Sequence, residues 1–337
     1  MAGWAAAGAA FVISLAVNLL VIRQSERARF FLDDHRSDKP QRFHENPTPR
    51  AGGIGILAGF LPLLGIPGGW KLFLPSLLAF FSGILEDFHQ SLSPKKRLLL
   101  QLLAASVAVL LTGTIVRYLG FGVYLPGWLA LLFSIFAIVG AMNAINIIDG
   151  FNGLAGGIVL LILLSFGITA QRLGMDEATD LIEVIAGAVG GFYLLNFPRG
   201  RIFLGDGGAY LLGFLVAVLG ILLAGTQAKV SPWYILAVLI YPVWEVLFSA
   251  YRKRREGRSP LEPDAYHLHM LIYRHLTRNN PLTSMVILGA NFPFIMAATF
   301  FPNNSKFNFL LVLTFVGGYL LVYRWLRKRD ETVPESE

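Results

Sequence analysis

Residues 127–153 read GWLALLFSIFAIVGAMNAINIIDGFNG, and positions 127–147 contain no charged side chain. A helix of that length covers about 30 Å, the thickness of a bilayer's hydrocarbon core. The run closes on Asn143, Asn146 and Asp149–Gly150, so an apolar helix delivers amides and an acid to a polar turn. Comparable runs recur along the chain. We read eleven spans, at 3–22, 51–66, 70–85, 98–115, 127–147, 153–170, 181–197, 208–225, 232–250, 281–301 and 307–323. The second and third are short. The first is read as no cleavable signal peptide, because no Lys or Arg precedes it and a basic stretch follows it. The expected fold is an all-α polytopic integral membrane helix bundle, one membrane domain over 1–326 with a short tail over 327–337.

Composition agrees with that reading. The 337 residues are 55% hydrophobic and 15% charged, against about 25% charged in an ordinary soluble domain. The absence of cysteine excludes disulfides, thiolate zinc sites and cysteine nucleophiles. A net charge of +7 would suggest nucleic acid in a soluble protein, but here the basic residues follow topology. The loops 23–50, 86–97, 148–152, 198–207 and 251–280 and the tail from Arg324 hold 23 of the 28 Lys and Arg. By the positive-inside rule these are cytoplasmic, the N-terminus lies outside and the C-terminus inside. The same loops carry all six histidines and most of the Asp, Asn and Gly-rich turns, so the chemistry is expected on that face.

Each inner loop has two readings. DDHRSDKPQRFHENPTPRAGG (33–53) is either a basic patch for lipid headgroups or a loop shaped by its prolines and paired glycines. From guanidinium geometry, Arg42 and Arg50 are candidate phosphate clamps. Glu86–Asp87 can bind a divalent cation, take a proton or cap the next helix. Asn143 and Asn146, a turn apart, either bond across helices or face a polar cavity. Asp206, flanked by Gly205 and Gly207–Gly208, suits Mg²⁺, or marks a plain turn. His267 and His269 lack the spacing of a helical metal pair, and contact with phosphate or proton handling fits better; an interfacial amphipathic helix is the alternative. Glu245, an acid inside a span, is a functional candidate or a partner for a neighbour.

Together these groups suit a charged phosphate ester with a metal and not acyl transfer. In the elements DKPQRFHENPTPRAGG, Glu86–Asp87, N-x-x-N-x-x-D-G, Asn196 ahead of GDGG, and H-x-H, the chain resembles the polyprenyl-phosphate N-acetylhexosamine-1-phosphate transferase superfamily. The resemblance runs from Asp38 to about His275. It implies that a UDP-N-acetylhexosamine gives its sugar 1-phosphate to undecaprenyl phosphate, releasing UMP. This would initiate O-antigen or another cell-envelope polysaccharide at the bacterial inner membrane. It puts Mg²⁺ (or Mn²⁺) on Asp206, and Asp87 with Glu86 beside the lipid phosphate and metal. Asn143, Asn146, Asp149 and Asn196 would line the nucleotide cavity, with Asp149 towards the uracil and Phe203 stacked on it. His267 and His269 would contact phosphates from the opposite wall. Membrane lipids surround such a protein, a homodimer is admitted and no nucleic acid is expected. The chain departs from the family pattern at Glu86, usually Asp, and at Met270, usually His. Donors based on GlcNAc, GalNAc, FucNAc and QuiNAc stay open. A transporter or lipid-linked sugar flippase is the rival reading.

Overall fold

The computed structural model describes residues 3–28, 48–89, 93–225, 230–259, 262 and 264–332. Arg42 and most of the first loop lie outside the described residues. The rest is helical: α1 (Gly3–Ala28), α2 (Gly52–Ala58), α3 (Trp70–His89), α4 (Pro94–Thr112), α5 (Gly127–Ile148), α6 (Leu154–Arg172), α7 (Asp176–Asn196), α8 (Gly205–Gly225), α9 (Pro232–Val238), α10 (Ile240–Arg255), α11 (Leu268–Ile272), α12 (Asn280–Phe300) and α13 (Ser305–Thr332). Only isolated bridges, and no strands, occur among the described residues.

Among the described residues α1, α5, α6, α7, α8, α12 and α13 are long and apolar enough to cross a membrane, and α9 with α10 make an eighth if counted as one bent span. The other three expected spans, 51–66, 70–85 and 98–115, are not among these. The second is only α2 followed by a 3₁₀ turn, Leu61–Gly65. Charge gathers at the facing ends of α3 and α4, in Glu86–Asp87 and Lys95–Arg97.

Two breaks share a cause. α2 stops at Ala58 and α9 at Val238, each four residues before a proline, Pro62 and Pro242. A proline gives no N–H to the carbonyl four residues back and its ring crowds that carbonyl. At the second break α10 leaves α9 at 79°. α9 itself is held by Tyr234, whose hydroxyl lies 2.8 Å from Ser165 Oγ and 2.9 Å from Thr169 Oγ1 on α6. Pro75 and Pro293 remain inside continuous helices, so proline permits a break without dictating one.

α8 is the central post. It packs against α3 and α5 and is enclosed over almost its whole length, as a helix apolar on every side should be. Its N-terminus rises between the C-termini of α3, α5 and α7 and the N-terminus of α4. That crowding of helix ends positions the polar groups described next.

Candidate active site

The GDGG turn is built by its neighbours. The chain at Pro49–Gly53 runs beside Phe203–Leu204. Phe203 N–H donates to Pro49 O (2.9 Å), Gly52 N–H to Phe203 O (2.9 Å) and Gly53 N–H to Leu204 O (3.1 Å). Gly205 then takes a φ of +75°, a conformation that L side chains rarely adopt, and α8 begins. Asp87, from α3, accepts from the N–H groups of Asp206 (3.0 Å) and Gly207 (2.9 Å). Its carboxylate thereby satisfies two of the orphan donors at the positive end of α8. The close approach of α3 needs Gly83, since a Cβ there would stand 2.3 Å from the Asp206 carbonyl carbon.

Asp206 is held differently. Asn146 Nδ2 donates to Oδ1 at 3.2 Å, Arg50 Nη2 lies 3.4 Å from the same oxygen, and Arg97 Nη1 lies 3.3 Å from Oδ2. All three contacts are long, and the Asp206 side chain keeps 18% of its surface accessible. Asp149 caps α5 within the same electrostatic environment. Burial, with Asp206 and Asp87 adding to it against the opposing Arg50, pushes its carboxyl up to about 7. Three acids and two guanidinium groups therefore converge on one site. Glu86 is half-buried next to Asp87.

The asparagines divide by role. Asn146 reaches Asp206, whereas Asn143 Nδ2 donates to Gln101 Oε1 (2.9 Å) and Val139 O (2.8 Å). Asn196 is buried and ties the turns together, accepting from Gly153 N–H (2.6 Å) and donating to Ile202 O (2.8 Å). Asn152 does similar work, donating Nδ2–H to Pro198 O (3.0 Å) while its N–H reaches Asn280 Oδ1 (2.7 Å) on α12. Phe203, half-buried, is fixed through its backbone.

A second cluster lies against the α5–α6 turn. His267 Nδ1 is 3.1 Å from Glu245 Oε2, and Leu268 N–H donates to Glu245 Oε1 at 3.1 Å. His267 and His269 stack with ring centroids 5.3 Å apart. His269 Nδ1 is 3.4 Å from the Tyr241 hydroxyl, and its ring meets Phe151 edge-on. Burial pushes the His269 imidazole down to about 4, so it is neutral at pH 7. Asp264 accepts from Ser249 Oγ (2.9 Å), from Tyr266 N–H (3.0 Å) and from Arg252. Burial pushes its carboxyl up, but His267, Arg252 and these hydrogen bonds outweigh that and leave it low.

Sequence reasoning singled out neither Arg97 nor Gln101, and it passed over Tyr241 and Asp264. Arg97 was hidden in a Lys–Lys–Arg run that topology alone explained. A lone amide one turn later in an apolar helix, Gln101, was the available signal.

The donor set near Asp206 is one of hard oxygens. No group of three or more His, Asp or Glu close enough to hold a metal occurs among the described residues. Mg²⁺ takes only one or two carboxylates and completes its shell with water and phosphate oxygens, so Asp206 beside Asp87 fits that ion and not zinc.

An apolar cavity of about 460 Å³ lies between α5, α8 and the α9–α10 bend. Gly140, Ala141 and Ala144 of α5, Ala217 of α8 and Leu239 and Val243 at the α9–α10 bend contribute to its wall. Ala144, on its wall, and Asn146, which reaches Asp206, lie on nearly opposite faces of α5.

Residues 70–224 match the model of a family described as glycosyl transferase family 4. The chain is 30% identical over 329 residues to decaprenyl-phosphate N-acetylglucosaminephosphotransferase of Mycobacterium leprae, covering 85% of this chain and 82% of that one. It is 28% identical over 312 residues to undecaprenyl-phosphate alpha-N-acetylglucosaminyl 1-phosphate transferase of Yersinia pestis, covering 86% and 84%.

Proposed function

The chain belongs to glycosyl transferase family 4, and on that premise we propose that it transfers an N-acetylhexosamine 1-phosphate from a UDP-sugar to undecaprenyl phosphate. The observation that carries the reading is the convergence of Asp87, Asp149, Asp206, Arg50 and Arg97 on one site at the ends of membrane-length apolar helices. One substrate is a water-borne anion and the other a phosphate on a long apolar chain. A site at the end of a bundle of membrane-length helices meets both.

In the reaction an oxygen of the lipid phosphate forms a bond to the β-phosphorus of the UDP-sugar. The bond from that phosphorus to the bridging oxygen breaks, and the electron pair leaves with UMP. A monoester phosphate has its second pKa near ~6 and is already largely ionised at neutral pH, so no protein base is required. The demand on the protein is to bring two anions together. Arg50 and Arg97, which rest on Asp206 through long contacts, turn to the phosphates. Asp206, with Asp87 beside it, would hold Mg²⁺, which when bound neutralises diphosphate charge. Asn146 steadies Asp206, and His269 faces the same turn as Asp149.

The placement of 23 of 28 basic residues on one set of loops supports a cytoplasmic active site in a bacterial inner membrane. GlcNAc in the names of the relatives favours UDP-GlcNAc as donor, and initiation of O-antigen or a related envelope polysaccharide as the role. Purified protein supplied with undecaprenyl phosphate, Mg²⁺ and a panel of UDP-N-acetylhexosamines should release UMP and form the lipid diphosphate sugar. Release from none of them would overturn the proposal.

A further inference from the structure

Tyr241 and Glu245 stand four residues apart on α10, so both side chains project from one helix face. Opposite them are His267 and His269, the first preceding α11 and the second within it. The pairs meet in register, Glu245 Oε2 with His267 Nδ1 at 3.1 Å and Tyr241 Oη with His269 Nδ1 at 3.4 Å. All four residues are buried, between 1% and 6% exposed. Each contact uses the Nδ1 atom, but the partners differ in kind. A carboxylate only accepts, whereas a phenol has one hydrogen to give.

That difference decides which Nδ1 carries a hydrogen. Glu245 requires hydrogen on His267 Nδ1. The Tyr241 hydroxyl makes no other hydrogen bond among the described residues, and a buried donor left unmade costs about 1–3 kcal/mol. The phenol therefore donates to His269 Nδ1, and the hydrogen of that neutral ring sits on Nε2. His269 Nε2 faces Gly150, where a Cβ would stand 3.4 Å away. Glycine keeps the space over this nitrogen clear, next to Asp149.

We propose that Tyr241 is a positioning residue, which fixes His269 as the Nε2–H tautomer and aims that N–H at the Asp149–Gly150 turn, while Glu245 holds His267 with its hydrogen on Nδ1. The inference rests on the transfer reaction proposed above only for what the N–H meets, an anionic oxygen of the substrates. His267 Nε2 lies 3.8 Å from Asp264 Oδ2, so carboxylates face both nitrogens of that ring, whereas His269 Nδ1 meets the phenol.

The test uses the full chain in lipid nanodiscs, labelled with ¹⁵N-histidine, with His269 assigned through a His269→Gln variant. The wild type should show His269 as a single Nε2–H tautomer. Tyr241→Phe keeps the ring that packs the core and removes only the hydroxyl. It should give a tautomer mixture at His269, leave His267 unchanged and lower kcat roughly tenfold with a smaller change in KM. Gly150→Ala should lower kcat with the tautomer intact. An unchanged His269 spectrum in Tyr241→Phe, or an altered spectrum with full kcat, overturns the assignment. The tautomer readout needs no donor sugar, so absent transfer in the wild type counts against the proposed reaction and not against Tyr241.

Discussion

The two polar clusters at this end of the bundle touch the same turn, Asp149–Gly150, yet they are held in opposite ways. Around Asp206 the contacts are 3.2–3.4 Å long and two of the three partners are partly exposed arginines. Around Glu245 the acid is buried and both its oxygens are taken at 3.1 Å by groups of one loop. A carboxylate under loose cationic contacts can exchange them for phosphate and metal without loss of the fold. A carboxylate that closes a buried network cannot. On the proposed function, the first acid is arranged for ligands and the second for architecture that serves them.

That contrast is open to breakage. Asp206→Asn should cost the most activity, about a thousandfold or more in turnover, as when a charge stabiliser at a reacting centre is removed. Its melting temperature should stay at or above wild type, since the loose ion pairs add little. Glu245→Ala should show the reverse order of effects. It orphans His267 Nδ1 and the Leu268 N–H, at about 1–3 kcal/mol each, so thermal stability in detergent falls first and turnover falls with it. If Asp206→Asn melted early and Glu245→Ala did not, the division of roles would be wrong. Arg97→Ala comes next. One charge-assisted contact with a phosphate is worth about 1.5–3 kcal/mol, so KM for the UDP-sugar should rise at least tenfold with stability unchanged.

How far the sequence carried these distinctions depends on what each residue contacts. The long apolar helices were legible because a charge-free run of bilayer length has few other uses, and α5, α8 and α12 lie where the reading expects them. The breaks at Ala58 and Val238 were not. Pro62 and Pro242 follow helix ends while Pro75 and Pro293 stay inside helices, and a proline in the sequence reads the same in both cases. At the site, Asp87, Asn146 and Asp206 could be grouped because acids and amides at membrane helix ends are costly unless used. Their division of labour could not. Asn143 and Asn196 belong to the same motifs, but Gln101, Gly153 and Ile202 occupy their amides, and those partners are distant or unremarkable in sequence. Arg50 was found by charge and Arg97 was lost in charge.

The last expected effect sits at the turn both clusters share. The Asp149 carboxyl is raised from 3.8 to about 7, by burial first and by Asp206 and Asp87 in addition. The folded protein therefore takes up a proton as pH falls through about 7, while the unfolded chain waits until near 3.8. For an acid raised in this sense, the stability contributed by the proton is complete below the unfolded value and is lost as pH rises through the folded one. Wild-type melting temperature should fall between about pH 4 and pH 7 relative to Asp149→Asn, whose amide cannot ionise, and the two curves should draw together in acid. Parallel curves would mean that Asp149 is as well hydrated as an exposed carboxylate. The turn would then belong to the open cluster alone, with nothing of the buried one in its surroundings.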